Sequence, residues 1–362
     1  MKRLDLRSVF YTLAALAVLC AIGGLSVVGL GLYNVSARAG HFPGVPLILH
    51  TTYNQSVKLR AVSEDEVPEF TEPMVALGAK HFDAACRVCH SAPGHDKTAT
   101  MEAMVPEPPH ITAAVEGWQP RHLHWILYEG VKMSGMPHWP ADRPDEVWPT
   151  VAFLEAVQNG MTEQRYDALT AVEKGDPRSF YYCASCHNAN GVSGNQRIPR
   201  LDILSEEYMT RALLAYRSGA RDSGYMEHAA SEVPVAQLPA FAKQFAALPA
   251  TGEAGPTTSL TIAGERIAME GVPGSDVPAC AACHGPWSEP IDPAYPSLSG
   301  QYRPYLEDQL RLWREGVRGG TRVARLMHQA ATRLTDAQIE AVSAWYAARQ
   351  PAKIDVLPEL SD

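Results

Sequence analysis

Six of the seven cysteines fall in three pentapeptides of one pattern, CRVCH at 86–90, CASCH at 183–187 and CAACH at 280–284. On a helix, residues three and four apart share a face, so each pentapeptide points two thiols and an imidazole the same way. Such a face suits two thioether links to the vinyl groups of a porphyrin and one nitrogen on its iron, the pattern of c-type haem attachment. The attachment residues are then Cys86, Cys89, Cys183, Cys186, Cys280 and Cys283, with His90, His187 and His284 as axial ligands. A tetrahedral zinc site needs a fourth Cys or His in each region, and the cysteines are already used. Disulfides between cysteines three apart would leave three identically placed histidines without a reason. The pattern predicts three covalently bound haem c groups.

The second axial position decides between electron transfer and chemistry on a small molecule. Met136, Met226 and Met327 each follow their motif histidine at comparable spacing, after one helical stretch and before the next. A single methionine is usually core filler. The same slot filled three times points to thioether ligands instead. In the first region Met133 competes with Met136 in "GVKMSGMPHW", and the Met136-Pro137 step favours Met136, because proline stiffens the loop that holds the sulfur. Met101 and Met104 precede the helical stretch and are weaker candidates. His122, His124, His138, His228 and His328 are the alternative nitrogen ligands. Pro109, Pro199 and Pro296 stand where a backbone carbonyl can accept a proton from the axial imidazole and so orient it.

The elements that position these groups are legible from a repeat. Cys183, Cys186, His187, Pro199, Leu201, Tyr208, Leu213, Gly219 and Arg221 recur at an offset of 97 (280 minus 183) as Cys280, Cys283, His284, Pro296, Leu298, Tyr305, Leu310, Gly316 and Arg318, and Tyr216 is answered by Trp313. From Met226 and Met327 onward the offset is 101 (327 minus 226), so the copies differ in the segment before that methionine. Each copy reads as a short helix before the motif, an irregular stretch ending in Pro-x-Leu, a middle helix, a methionine loop and a closing helix. Ser205 caps one middle helix, and TDAQ at 335–338 opens the last closing helix, which presents Ile339, Val342 and Tyr346. The first motif has the same skeleton with less identity. The fold predicted is all-α, three tandem domains at 71–160, 161–250 and 256–351, after an anchor at 1–40 and a juxtamembrane linker at 41–70.

With 46% hydrophobic and 20% charged residues in 362, the chain is not disordered. Lys2, Arg3 and Arg7 precede a run from about Val9 to Leu32 without charge, enough to cross a bilayer and longer than a secretory signal requires. The basic leader stays in the cytoplasm and places the rest outside. ARA at 37–39 offers the alternative of cleavage, and Cys20 reads as a buried small apolar residue. The net charge of −9 argues against nucleic acid as a partner. A strip of arginines at 303, 311, 314, 318, 322, 325 and 333 either steers an acidic partner or is a solvated helix face.

Each region resembles a class I cytochrome c domain, the three-helix haem fold with His-Met ligation. The tandem of the second and third, through CAACHG, YPSLSGQYRPYLEDQLRLWREGVR and LMHQAATRLTDAQIEAVSAWYA, is similar to dihaem cytochromes that carry electrons to bacterial terminal oxidases. The whole resembles the trihaem, membrane-attached cytochrome subunits of periplasmic dehydrogenases. The resemblance implies a single-pass protein of the bacterial inner membrane with its haem domains in the periplasm. It implies single-electron transfer between a quinol-oxidising complex or dehydrogenase and a terminal oxidase or reductase, without substrate chemistry of its own. Two alternatives remain at this point: a subunit that tethers a dehydrogenase to the membrane, and a protein with one catalytic or gas-binding haem, most readily the divergent first.

Overall fold

A computed structural model describes residues 5–132, 134–171, 179–286, 292, 295–320 and 324–353. They fall into two compact units, Met1–Ser56 with Ala99–Pro108, and Val57–Thr98 with Pro109–Asp362. No strand forms among the described residues, and the architecture is all-α.

In the first unit, helix α1 (Leu6–Gly29) is capped by the Asp5 carboxylate, which accepts from the Arg7 amide. Its most apolar 18-residue stretch has a mean hydropathy of 2.2, and none of its residues is buried. At 1.5 Å per residue such a helix is long and apolar enough to cross a membrane. Cys20 is exposed on it rather than buried, because α1 has no protein neighbour on that face. The stretch that reads as a linker contains a second helix, α2 (Val45–Arg60).

The second unit holds all three motifs, each beside its own apolar core. Around the first, α3 (Glu72–His81), α4 (Pro120–Glu129), α5 (Val147–Gln158) and α6 (Glu163–Thr170) enclose Phe82, Val151, Phe153 and Tyr166. Around the second, α7 (Phe180–His187), α8 (Glu206–Arg217), α9 (Gly224–Glu232) and α10 (Leu238–Ala246) surround Ile203, Met209 and Phe245. Around the third, α11 (Ser259–Glu270), α12 (Arg303–Glu315), α13 (Ala324–Thr332) and α14 (Asp336–Ala347) surround Leu306, Trp345 and Tyr346. In the first and third groups the opening and closing helices touch at a glycine. A Cβ on Gly78 would lie 2.0 Å from the Pro149 carbonyl oxygen, and one on Gly264 the same distance from that of Ala341. Any side chain there would push the two helices apart.

The helix ends follow the sequence signals. Ser205 accepts from the Tyr208 amide at the start of α8, and Thr335 with Gln338 forms a capping box on α14. Ile339, Val342 and Tyr346 are buried, but so are Ala341, Ser343, Ala344 and Trp345, so α14 is enclosed on more than one stripe. The largest departure concerns the methionine loops. Met226 and Met327 sit on helices, α9 and α13, and the Ser223 hydroxyl accepts from the Met226 amide to start the first of these. Met136 instead lies in a tight hairpin in which the Val131 amide donates to the Met136 carbonyl at 3.1 Å. The same hairpin recurs before the third motif, where the Val272 amide donates to the Val277 carbonyl at 3.1 Å. The backbone turn is therefore indifferent to methionine, and the sulfur at position 136 is an addition to it.

Candidate haem sites

The three motifs adopt one local geometry. Cys86 ends a π-helical segment, Phe82–Cys86, that runs into the turn Arg87–His90. Cys183 to His187 close α7, and Ala281–His284 is a single turn capped by Cys280. In each case the imidazole Nδ1 lies 2.9 Å from a proline carbonyl oxygen: His90 from Pro109, His187 from Pro199 and His284 from Pro296. With Nδ1–H donating there, the ring is fixed and Nε2 carries the free lone pair that iron requires. Burial lowers the affinity of all three rings for a second proton, and takes His187 down to about 4. They are therefore neutral at neutral pH, the form in which an imidazole can bind a metal.

Burial also pushes the Cys86 and Cys183 thiols up to about 12 and that of Cys280 to about 11. Surroundings that disfavour a thiolate suit an uncharged thioether. No disulfide forms between them.

Two apolar cavities adjoin the second and third motifs. One is lined by Cys183, Cys186, His187, Pro199, Met226 and Phe245, the other by Cys280, Cys283, His284, Pro296, Met327 and Tyr346. Within the third site His284 Nε2 and Met327 Sδ face each other at 3.4 Å. Met136 is half-buried, its amide donating to the Ser134 hydroxyl at 3.2 Å, and Met133 lies outside the described residues. Met101 and Met104 belong to the other compact unit.

Four of the five alternative histidines have other occupations. His124 Nε2 lies 2.8 Å from the Pro144 carbonyl oxygen and its ring stacks on Trp148. His328 Nδ1 lies 2.7 Å from the Trp313 carbonyl oxygen, and His138 Nδ1 lies 2.6 Å from that of Trp139. His122 Nδ1 accepts from the Gln119 amide at the start of α4, and His228 borders the second cavity with His81.

A group that motif reasoning passed over closes both cavities. Tyr208, Arg221 and Arg318 line each of them. Arg221 donates to the Tyr208 hydroxyl at 3.3 Å and lies at 3.5 and 3.4 Å from Tyr305 Oη and Gln309 Oε1, while Arg318 donates to Tyr208 at 3.2 Å. Arg221 lies over the ring of Tyr216 and Arg318 over that of Trp313. These are repeat-equivalent residues meeting in space: the signal was their recurrence, which carried no role until the copies were folded together. Among the described residues no carboxylate pairs with either arginine, and Arg318 Nε is buried without a hydrogen-bond partner. Buried guanidinium groups call for anions. A haem, apolar over most of its area with two carboxylates at one edge, fits cavities that are apolar except at this wall.

The arginine strip is mostly engaged internally. Arg303 pairs with Glu307 at 2.6 Å, Arg314 with Asp336 at 2.9 Å and Arg333 with Asp276 at 3.5 Å, while Arg322 lies outside the described residues.

A family model described as "Cytochrome C oxidase, cbb3-type, subunit III" matches residues 73–154, and one described as "Cytochrome c" matches residues 263–347. The thiosulfate dehydrogenase electron acceptor of Thiomonas intermedia (strain K12) is 37% identical over 171 residues, 46% of this chain and 78% of its own. Cytochrome c4 of Azotobacter vinelandii is 31% identical over 178 residues, 45% of this chain and 82% of its own. A solved structure of cytochrome c4 from Acidithiobacillus ferrooxidans is 30% identical, covers 46% of this chain and 98% of that one, and superposes with a TM-score of 0.41.

Proposed function

The chain belongs to the c-type cytochromes, which carry covalently bound haem c and transfer electrons, and from that premise we propose that it is a trihaem carrier. Its haem domains are 71–160, 161–250 and 256–351, with the first extended by α6 (Glu163–Thr170), whose Tyr166 packs in the first core and donates to Asp83 at 2.7 Å. Each bound haem supplies a ferric/ferrous couple that takes or gives one electron. Cys86 and Cys89, Cys183 and Cys186, and Cys280 and Cys283 hold the three groups by thioether bonds. His90, His187 and His284 take one axial position, and Met136, Met226 and Met327 the other. With both positions filled from the protein, none is left for oxygen or peroxide. Helix α1 stays in the membrane as an anchor and the haem domains lie in the periplasm.

The observation that carries this reading is the threefold Nδ1-to-proline contact at 2.9 Å, which leaves three identically prepared Nε2 atoms. The kinship with a thiosulfate dehydrogenase electron acceptor favours a periplasmic sulfur-compound dehydrogenase as the electron donor, with a terminal oxidase or reductase beyond.

The test is optical and needs only the purified, detergent-solubilised protein. Three haems per chain, all low-spin, each with a thioether-to-iron charge-transfer band when oxidised, are expected. Ready binding of carbon monoxide at any of them would sink the carrier reading. Rapid reduction of the protein by thiosulfate plus its dehydrogenase, and none by thiosulfate alone, supports the proposed donor.

A further inference from the structure

The start of the segment that carries Met226 is gripped by the region around the first motif, while its later residues are held by Arg217 of its own domain, which donates to the Ala230 and Val233 carbonyls at 2.7 and 2.8 Å. Glu146, at the start of α5, accepts from the Gly224 amide at 2.6 Å, and its backbone carbonyl accepts from the Tyr225 hydroxyl at 2.7 Å. Arg143, ion-paired with Glu146 at 3.1 Å and Asp145 at 2.6 Å, also donates to the Asp222 carbonyl at 3.3 Å. The Trp139 indole lies flush on Gly224, where an added Cβ would sit 2.2 Å from Nε1. His81 closes the contact, its ring 4.5 Å from that of Tyr225 and 4.8 Å from that of Trp139. Lys80 donates to the Ser185 carbonyl, inside the second motif, at 2.9 Å. Lys80, His81, Arg143 and Glu146 also line the cavity that His187 and Met226 share. Asp222, Gly224 and Tyr225 are thus each touched from the first region, and Ser223 between them caps the helix at the Met226 amide.

We propose that the first region positions the iron ligand of the second: Glu146 and Trp139 clamp the 222–225 segment so that Met226 presents its sulfur to the cavity lined by His187. Glu146 is a positioning residue in this scheme, acting on Met226 through the Gly224 amide. The second haem site is then a composite of two domains, and loosening their contact changes the potential of one haem while the others hold. The proposal rests on the reading of Met226 as a ligand.

The test uses the full-length, haem-loaded protein, with covalent haem content measured first and then the thioether-to-iron band and a redox titration. Glu146→Ala is expected to lose one haem's share of the band and to lower one potential, since thioether ligation raises it. Glu146→Gln keeps an acceptor for the Gly224 amide and is expected to restore both. The clamp is overturned when Glu146→Ala keeps the full band and all potentials while Met226→Ala loses one haem's share. When Met226→Ala itself leaves the band whole, the ligand reading fails and the clamp with it. Tyr225→Phe removes one hydroxyl and serves where Glu146→Ala does not accumulate: a smaller fall of the same potential supports the clamp, and unchanged potentials overturn it.

Discussion

The two boundaries between haem regions are built in opposite ways. Between the second and third, equivalent residues of the two copies meet: Tyr208 and Tyr305, Arg221 and Arg318, with Tyr216 and Trp313 behind them. Arg200 and Gln301 add reciprocal backbone bonds, the Arg200 amide donating to Gln301 Oε1 and Gln301 Nε2 donating to the Arg200 carbonyl, each at 3.0 Å. Between the first and second, nothing is equivalent: Trp139, Glu146 and Lys80 on one side meet Gly224, Tyr225 and Ser185 on the other. A duplicated domain that packs on its copy uses one set of residues twice, and here that set forms the wall shared by the two cavities. A boundary between divergent domains has no such symmetry, and here it grips the segment bearing Met226.

The sharpest way to break this contrast is at Trp139, which is buried between the two regions. Trp139→Ala is expected to destabilise the protein by about 3–5 kcal/mol in denaturant unfolding. A loss below about 1 kcal/mol would make the first boundary incidental. Arg221→Met and Arg318→Met probe the other boundary. Each removes a guanidinium from the wall shared by the two cavities, Arg221 buried and Arg318 half-buried, and is expected to cost about 3 kcal/mol in the haem-loaded protein. Because the residues are repeat-equivalent, the two losses should match; a large difference would deny the symmetry.

The boundaries should also differ in acid. Burial, with His228 nearby, pushes His81 down to about 3 from its ordinary 6.5. As pH falls below 6.5 the unfolded chain takes up a proton that the folded one refuses, so stability is lost as pH falls through that window. His81→Phe is expected to flatten the loss between pH 6.5 and about 5, where most carboxylates are still ionised. Unfolding curves at several pH values check this, and equal slopes in both proteins would contradict it. The smallest effect is expected at helix starts. Ser205→Ala should cost about 1 kcal/mol by removing the cap on α8. Its counterpart Tyr302 makes no side-chain cap on α12, so Tyr302→Phe should leave that helix end unchanged.

Much of the helical frame was legible before any coordinates, because caps and breakers act within one turn of chain: Ser205, Thr335 and Gln338 each mark the end they were read to mark. The segments of Met226 and Met327 read as loops but form helices, while that of Met136 is a turn; the cap on α9 comes from Ser223, a weak signal next to a glycine. Gly78 and Gly264 carried no readable meaning either, since what they avoid is a carbonyl some seventy residues away in the chain.

By itself the sequence determined the cofactor class, since two cysteines and a histidine within five residues share a helix face wherever that helix is placed. It determined the repeat as well, and hence which residues had to be equivalent. Only the tertiary structure decided what those equivalents meet: that Arg221 and Arg318 share one uncompensated wall, and that Met226 stands on a segment held by Glu146 and Trp139. The reason is physical. Ligand spacing is a property of local helix geometry, whereas a buried charge or a clamped turn is defined by neighbours that long-range packing brings within a few ångströms.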